Sequence, residues 1–107
     1  MDYRKVTAIF RIELLDKVEK KLQELGVRGL SISKVKGYGE YIDFYAKDWM
    51  TNHARVELFI EESEAETIAQ AIMDAASLDM EGDGIVAILP VEKLYHIRTR
   101  SAAVDGC

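Results

Sequence analysis

Two glycine words and one cationic run are the segments of this chain best suited to chemistry. Gly37-Tyr38-Gly39 and Gly82-Asp83-Gly84 each set two glycines one residue apart. Glycine reaches positive φ and carries no Cβ, so backbone amides in such turns can approach an anion and point at it. The same spacing also suits ordinary turns, because a single Gly-x-Gly is a weak signal. His96, Arg98 and Arg100 alternate; in an extended segment they would project to one side, and arginine's planar fork holds phosphate oxygens in a bidentate manner that lysine cannot match. A solvated terminus would have the same composition. Covalent catalysis has no visible machinery: His53 and His96 lack a recognisable Ser or Cys partner, and the single cysteine, Cys107, is the last residue. One cysteine can form neither an intrachain disulfide nor a thiolate metal cluster.

The chain that must position these groups is 107 residues long, 49% hydrophobic and 31% charged. That balance is ordinary for a folded domain and far from the signature of disorder. One domain over residues 1–107 is expected, without repeats, low-complexity segments or an interdomain linker. With 14 Lys+Arg against 19 Asp+Glu the net charge is -5, which argues against nucleic-acid binding through general phosphate neutralisation. Any anion site has to be local. The longest apolar run, Ile85 to Val91, is too short to span a bilayer, and Met1-Asp2-Tyr3-Arg4-Lys5 opens no secretory segment. The expectation is a cytoplasmic protein without direct membrane insertion.

Periodicity supplies the elements. Val6, Ala8, Phe10 and Ile12 alternate with Lys5, Thr7, Ile9 and Arg11, predicting a strand over Tyr3–Ile12 with one face on a core. Leu14, Leu15, Val18, Leu22 and Leu25 recur at helical spacing, and Gly26 stands where a C-cap glycine belongs. Leu30, Ile32 and Val35 mark a second strand ending at Lys36; Val56, Leu58 and Ile60 alternate with Arg55, Glu57 and Phe59 in a third. Ser63 followed by Glu66 reads as a capping box before a second helix with Ile68, Ala71, Ile72 and Ala75 as its apolar stripe. A fourth strand over Ile85–Val91 completes β-α-β-β-α-β. The fold class is therefore α+β, ferredoxin-like, with an antiparallel sheet and both helices on one face. Ile9 and Phe59 point to the other face, which is partly apolar and suited to covering by a partner subunit.

Val35-Lys36-Gly37-Tyr38-Gly39, Glu81-Gly82-Asp83-Gly84-Ile85 and Leu89-Pro90-Val91-Glu92 with Ile97-Arg98-Thr99 resemble, in order and spacing, the signature segments of the PII signal-transduction family. The similarity takes in nearly the whole chain, including Leu14 to Val18 and Val56 to Leu58, and leaves out residues 40 to 53 and the extreme C-terminus. The resemblance implies a homotrimer with adenine nucleotides in clefts between subunits, and regulation by contact instead of catalysis. Carried over by position, it implies that Ser31 meets the adenine, that Gly37, Tyr38 and Gly39 form the base of a long loop, and that Ile9, Glu57 and Phe59 line the cleft. Gly82, Asp83 and Gly84 match its phosphate-cradling turn; Arg98 matches a phosphate-binding arginine of the neighbouring subunit, with His96 and Arg100 beside it.

Three departures shape the functional expectation. Ile85 stands where the family usually has lysine, and His96 where it has a first arginine. Each charge-assisted phosphate contact contributes about 1–3 kcal/mol, so ADP or AMP is expected over ATP. The loop, about residues 38–54, is shorter than the family's usual one. It lacks the modified-tyrosine segment and the Arg-Gln start that the resemblance ties to a magnesium–ATP–2-oxoglutarate site, and Glu40 in place of arginine is unfavourable for a dicarboxylate. The loop aromatics Tyr41, Phe44, Tyr45 and Trp49 suit either anchoring of a partner protein or packing on their own trimer. The terminal Asp105-Gly106-Cys107 is similar to the cysteine-bearing ends of PII-like proteins linked to inorganic-carbon uptake, which brings in bicarbonate as a co-effector; a plain disordered tail over about 99–107 is the other reading. The expected function is thus a nucleotide-responsive regulator of a membrane transporter for bicarbonate or ammonium. The alternatives are a conventional nitrogen regulator on an ammonium transporter and, from another class, a small ferredoxin-like hydrolase.

Overall fold

A computed structural model of the chain describes residues 2–35 and 53–102. The elements run β1 (Tyr3–Arg11), a 3-10 turn (Ile12–Leu14), α1 (Leu15–Glu24), β2 (Ser31–Val35), β3 (His53–Glu61), α2 (Glu62–Ala76) and β4 (Gly84–Val91), followed by a small hairpin of β5 (Tyr95–His96) and β6 (Ser101–Ala102). The four long strands form one sheet in the order β2-β3-β1-β4, with every neighbouring pair antiparallel. This is the expected ferredoxin-like arrangement.

Alternation in the sequence becomes two faces of the sheet. Val6, Ala8 and Phe10 of β1 and Ala54, Val56 and Leu58 of β3 are buried with Val18 and Leu22 of α1 and Ala65, Ile68, Ile72 and Ala75 of α2. Both helices therefore cover one face, as period 2 in the strands and period 3.6 in the helices require. The alanines along α2 let its backbone approach the sheet closely. Cross-strand register then puts Ser31, Glu57, Thr7 and Ala87 in one row on the open face, with Ser33, Arg55, Ile9 and Ile85 on one side of it and Phe59, Lys5 and Leu89 on the other. Phe59 is 50% exposed there, and Ile85 and Leu89 are also exposed. The open face is polar toward β2 and apolar toward β4, in keeping with the expectation drawn from Ile9 and Phe59.

The helix ends are set by local chemistry. Gly26 lies at φ +83, and its amide bonds Gln23 O while Val27 N bonds Leu22 O; this double bond closes α1 as a glycine C-cap. The capping box expected at Ser63 does not form. Helix α2 begins at Glu62, Glu61 is its N-cap without a side-chain cap bond, and Ser63 falls inside the first turn. Its start is held from outside, since Glu62 N donates to Asp2 O at 2.9 Å and Arg4 pairs with Glu62 at 3.3 Å.

Other boundaries move as well. β1 ends at Arg11, with Ile12 already in the 3-10 turn. The loop is bounded by β3 from His53, so residues 53 and 54 are strand, and β4 starts one residue earlier, at Gly84. Among the described residues no helix is long and apolar enough to cross a membrane.

Candidate functional site

The turn containing Gly82, Asp83 and Gly84 is built from within. Asp83 Oδ2 accepts from Leu78 N at 3.0 Å, Met80 N at 3.2 Å and Ser77 Oγ at 3.1 Å, and the Asp83 amide donates to Met80 O at 3.3 Å. Asp83 Oδ1 faces Arg11 Nε at 3.5 Å, while Arg11 Nη2 donates to Glu81 O at 2.7 Å. Burial of the Asp83 carboxyl raises its pKa, but the Met80 and Leu78 amides, the Ser77 hydroxyl and Arg11 outweigh that and hold it below its ordinary value. Asp83 thus shapes the turn with both its side chain and its amide. Both glycines take positive φ, Gly82 at +87 and Gly84 at +120; Gly82 is buried and Gly84 half-buried.

Arg11 is the residue that sequence reading passed over. Its place in the alternation put it on the open face with the other polar residues, yet its side chain is only 6% exposed. The contact that buries it spans 72 positions. The one local hint is an arginine closing the strand that pairs with the one following the glycine turn.

The expected site residues fall into two groups. Ile9, Asp83 and Gly84 line a pocket of about 240 Å³ with Ile72, Met73 and Ile85. Phe59 and His96 line a separate cleft of about 430 Å³ with Tyr3, Arg28, Gly29 and Tyr95. Ser31 and Glu57 are cross-strand neighbours on the open face, while Arg98 and Arg100 lie in the turn of the C-terminal hairpin. Phe10 pairs with Gly84 at one end of β1 and Tyr3 with Val91 at the other. Seven residue steps separate those ends, roughly 24 Å of strand. Gly37, Tyr38, Gly39, Tyr41, Phe44, Tyr45 and Trp49 lie outside the described residues.

Extended alternation of His96, Arg98 and Arg100 is overturned. His96 pairs with Ser101 in the hairpin, Arg100 N closes the turn onto His96 O at 2.8 Å, and Arg100 takes φ +54. The tail expected from residue 99 is, through Ala102, part of this hairpin.

Glu57 sits in an ion-pair network: Lys5 Nζ is 3.4 Å from Glu57 Oε2 and Arg55 Nε 3.3 Å from Oε1, and Arg55 Nε also donates to Ser33 Oγ at 3.2 Å. All three charged side chains are partly exposed. Pairs of this kind contribute little to stability. Glu57→Gln is expected to shift the unfolding free energy by less than about 1 kcal/mol, read from urea denaturation; a larger loss would mean that the network supports the sheet.

The family model described as nitrogen regulatory protein P-II matches residues 3–101. Over 111 residues the chain is 33% identical to a nitrogen regulatory protein P-II of Cereibacter sphaeroides, an alignment covering 96% of this chain and 98% of that protein. A protein of the same name from Azospirillum brasilense is 32% identical over 116 residues, with the same coverage. The crystal structure of Arabidopsis thaliana PII bound to citrate matches with a TM-score of 0.81 at 27% identity, covering 95% of this chain and 89% of that one.

Proposed function

For a chain that belongs to the P-II family of regulatory proteins, we propose that it binds an adenine nucleotide in clefts shared by neighbouring subunits of a homotrimer and signals to a membrane transporter through the segment between β2 and β3. The observation that carries this reading is the division of the site residues between two places on one subunit. The glycine turn lies at one end of β1, and the cleft with Phe59 and His96 lies beyond the other. A nucleotide that touches both the glycine turn and the cleft with Phe59 and His96 therefore needs the turn of one subunit and the cleft of the next. Asp83 then acts by holding the turn, and the glycine backbone by meeting phosphate.

Ile85 and His96 stand where the family's resemblance places cations, so the terminal phosphate is gripped weakly and ADP or AMP is favoured over ATP. Bicarbonate is the proposed co-effector, the compartment is the cytoplasm, and no catalysis is assigned. The alternative is a conventional nitrogen regulator acting on an ammonium transporter, which the comparisons do not favour over this reading. One calorimetric series separates the two: ADP, AMP and ATP are titrated with and without bicarbonate, then with 2-oxoglutarate and magnesium. Tighter binding of ADP or AMP, unchanged by 2-oxoglutarate, is the expected result. ATP binding tenfold tighter than ADP sinks the preference, 2-oxoglutarate sensitivity supports the nitrogen regulator, and no binding below millimolar concentration rejects the nucleotide reading.

A further inference from the structure

We propose that the apolar pocket beside the Gly82-Asp83-Gly84 turn seats an aliphatic group carried on the outer phosphate of an ADP unit, so that the favoured ligand is an ADP ester and not the free nucleotide. The proposal rests on the nucleotide reading above, which puts phosphate at that turn, and names the ligand class more narrowly. Asp83 and Gly84, two residues of the turn, are themselves part of the pocket wall. Whatever is bonded to a phosphate held there has the pocket as its neighbour.

The wall is unsuited to a terminal phosphate. Such a group carries about two negative charges at neutral pH and calls for cations, yet among the described residues no lysine, arginine or histidine lines the pocket. The one charged residue in the lining is Asp83, itself an anion. Arg11, the cation behind the turn, is already committed: its Nε faces Asp83 Oδ1 at 3.5 Å, its Nη2 donates to Glu81 O at 2.7 Å, and its side chain is only 6% exposed. Esterification removes the second ionisation of the outer phosphate, and with it the charge that this wall does not compensate.

The same wall suits an alkyl chain. Ile9, Ile72, Met73, Ile85 and Val86 supply it, and Met73 and Ile85 are exposed in the subunit, so a ligand that covers them takes apolar surface out of water. The volume of about 240 Å³ is below the roughly 300–1,000 Å³ usual for a whole small-molecule site. It fits one branch of a larger ligand whose base lies elsewhere. Ile85 decides the chemistry: it follows the turn directly, pairs across the sheet with Ile9, and both residues line the pocket. A lysine there would turn the same space into a phosphate grip.

Calorimetric titration of the whole protein tests the seat with ADP, its β-methyl, β-propyl and β-pentyl esters, and ADP-ribose. Affinity is expected to rise along the alkyl series by about fourfold per methylene until the pocket is full, whereas ADP-ribose, whose substituent is polar, gains nothing over ADP. Ile85→Lys, checked for an unaltered far-UV spectrum, is expected to reverse the order, so that ADP and ATP bind more tightly than the pentyl ester. Met73→Ser, on the exposed side of α2, is expected to flatten the alkyl series. ADP binding with no gain from the esters rejects the seat alone. Failure of ADP and every ester to bind below millimolar concentration rejects the nucleotide reading and the seat with it. An ester preference that survives Ile85→Lys, or a gain by ADP-ribose equal to that of the pentyl ester, overturns the assignment of the chain to this pocket.

Discussion

Gly84→Ala is expected to destabilise the fold by roughly 3–5 kcal/mol, the size reached when a strained backbone and a hard overlap coincide. Gly84 opens β4 at φ +120, a conformation that residues with a Cβ rarely adopt. A Cβ built there lies 1.9 Å from Ile9 O and 2.9 Å from Ile9 C. Both are backbone atoms of the central strand, so no side chain can swing aside. Relief requires β4 to move away from β1 at the point where Phe10 pairs with Gly84, and this opens the core beneath Phe10 and disturbs the turn that Asp83 holds. Gly26→Ala is the control. That position also has positive φ, at +83, but a Cβ there meets nothing within 4 Å, so only the left-handed penalty of roughly 1–2 kcal/mol applies. Urea midpoints measured on both variants decide the matter: equal losses would mean that close approach to β1 contributes nothing.

That contrast shows which parts of the molecule were readable in advance. The sheet was legible because its helix-facing residues are apolar and its open-face residues largely are not, so Val6, Ala8 and Phe10 announced their strand. Gly26 was legible as a helix stop because a C-cap glycine is a local device. Ser63 misled because β3 runs into α2 without a loop; Asp2 O and Arg4, from the far end of the chain, fix the helix start. The hairpin was hidden because its strands have two residues each and its left-handed turn residue is Arg100, not glycine. For the site, the motif positions of Ile9, Asp83 and Gly84 could be named from sequence. That they stand apart from Phe59 and His96 could not, since this follows from strand order and register. Arg11 was missed for the same reason.

Acid is expected to unlock the turn, and Asp83 is the residue that senses it. Its folded carboxyl lies below the ordinary value of 3.8 that the unfolded chain restores. A lowered folded pKa means that the ionised form is favoured by folding. This contribution is fully present above the unfolded value and is lost as the pH falls below about 4 toward the folded pKa. Asp83→Asn keeps the size of the side chain and removes the charge, so it should flatten this acid limb while lowering stability at neutral pH. Asp83→Ala should cost more, about 2–3 kcal/mol. It removes the acceptor of the Leu78 and Met80 amides and the carboxylate facing the Arg11 guanidinium, whose side chain is 6% exposed. Loss of the carboxylate facing this arginine adds to the cost of the two amides left without their acceptor. Urea denaturation of the parent and both variants from pH 3 to pH 7 reads out the sign directly. A parent whose stability does not fall below about pH 4, or an Asp83→Asn variant with the same acid limb as the parent, would assign that limb to other carboxylates.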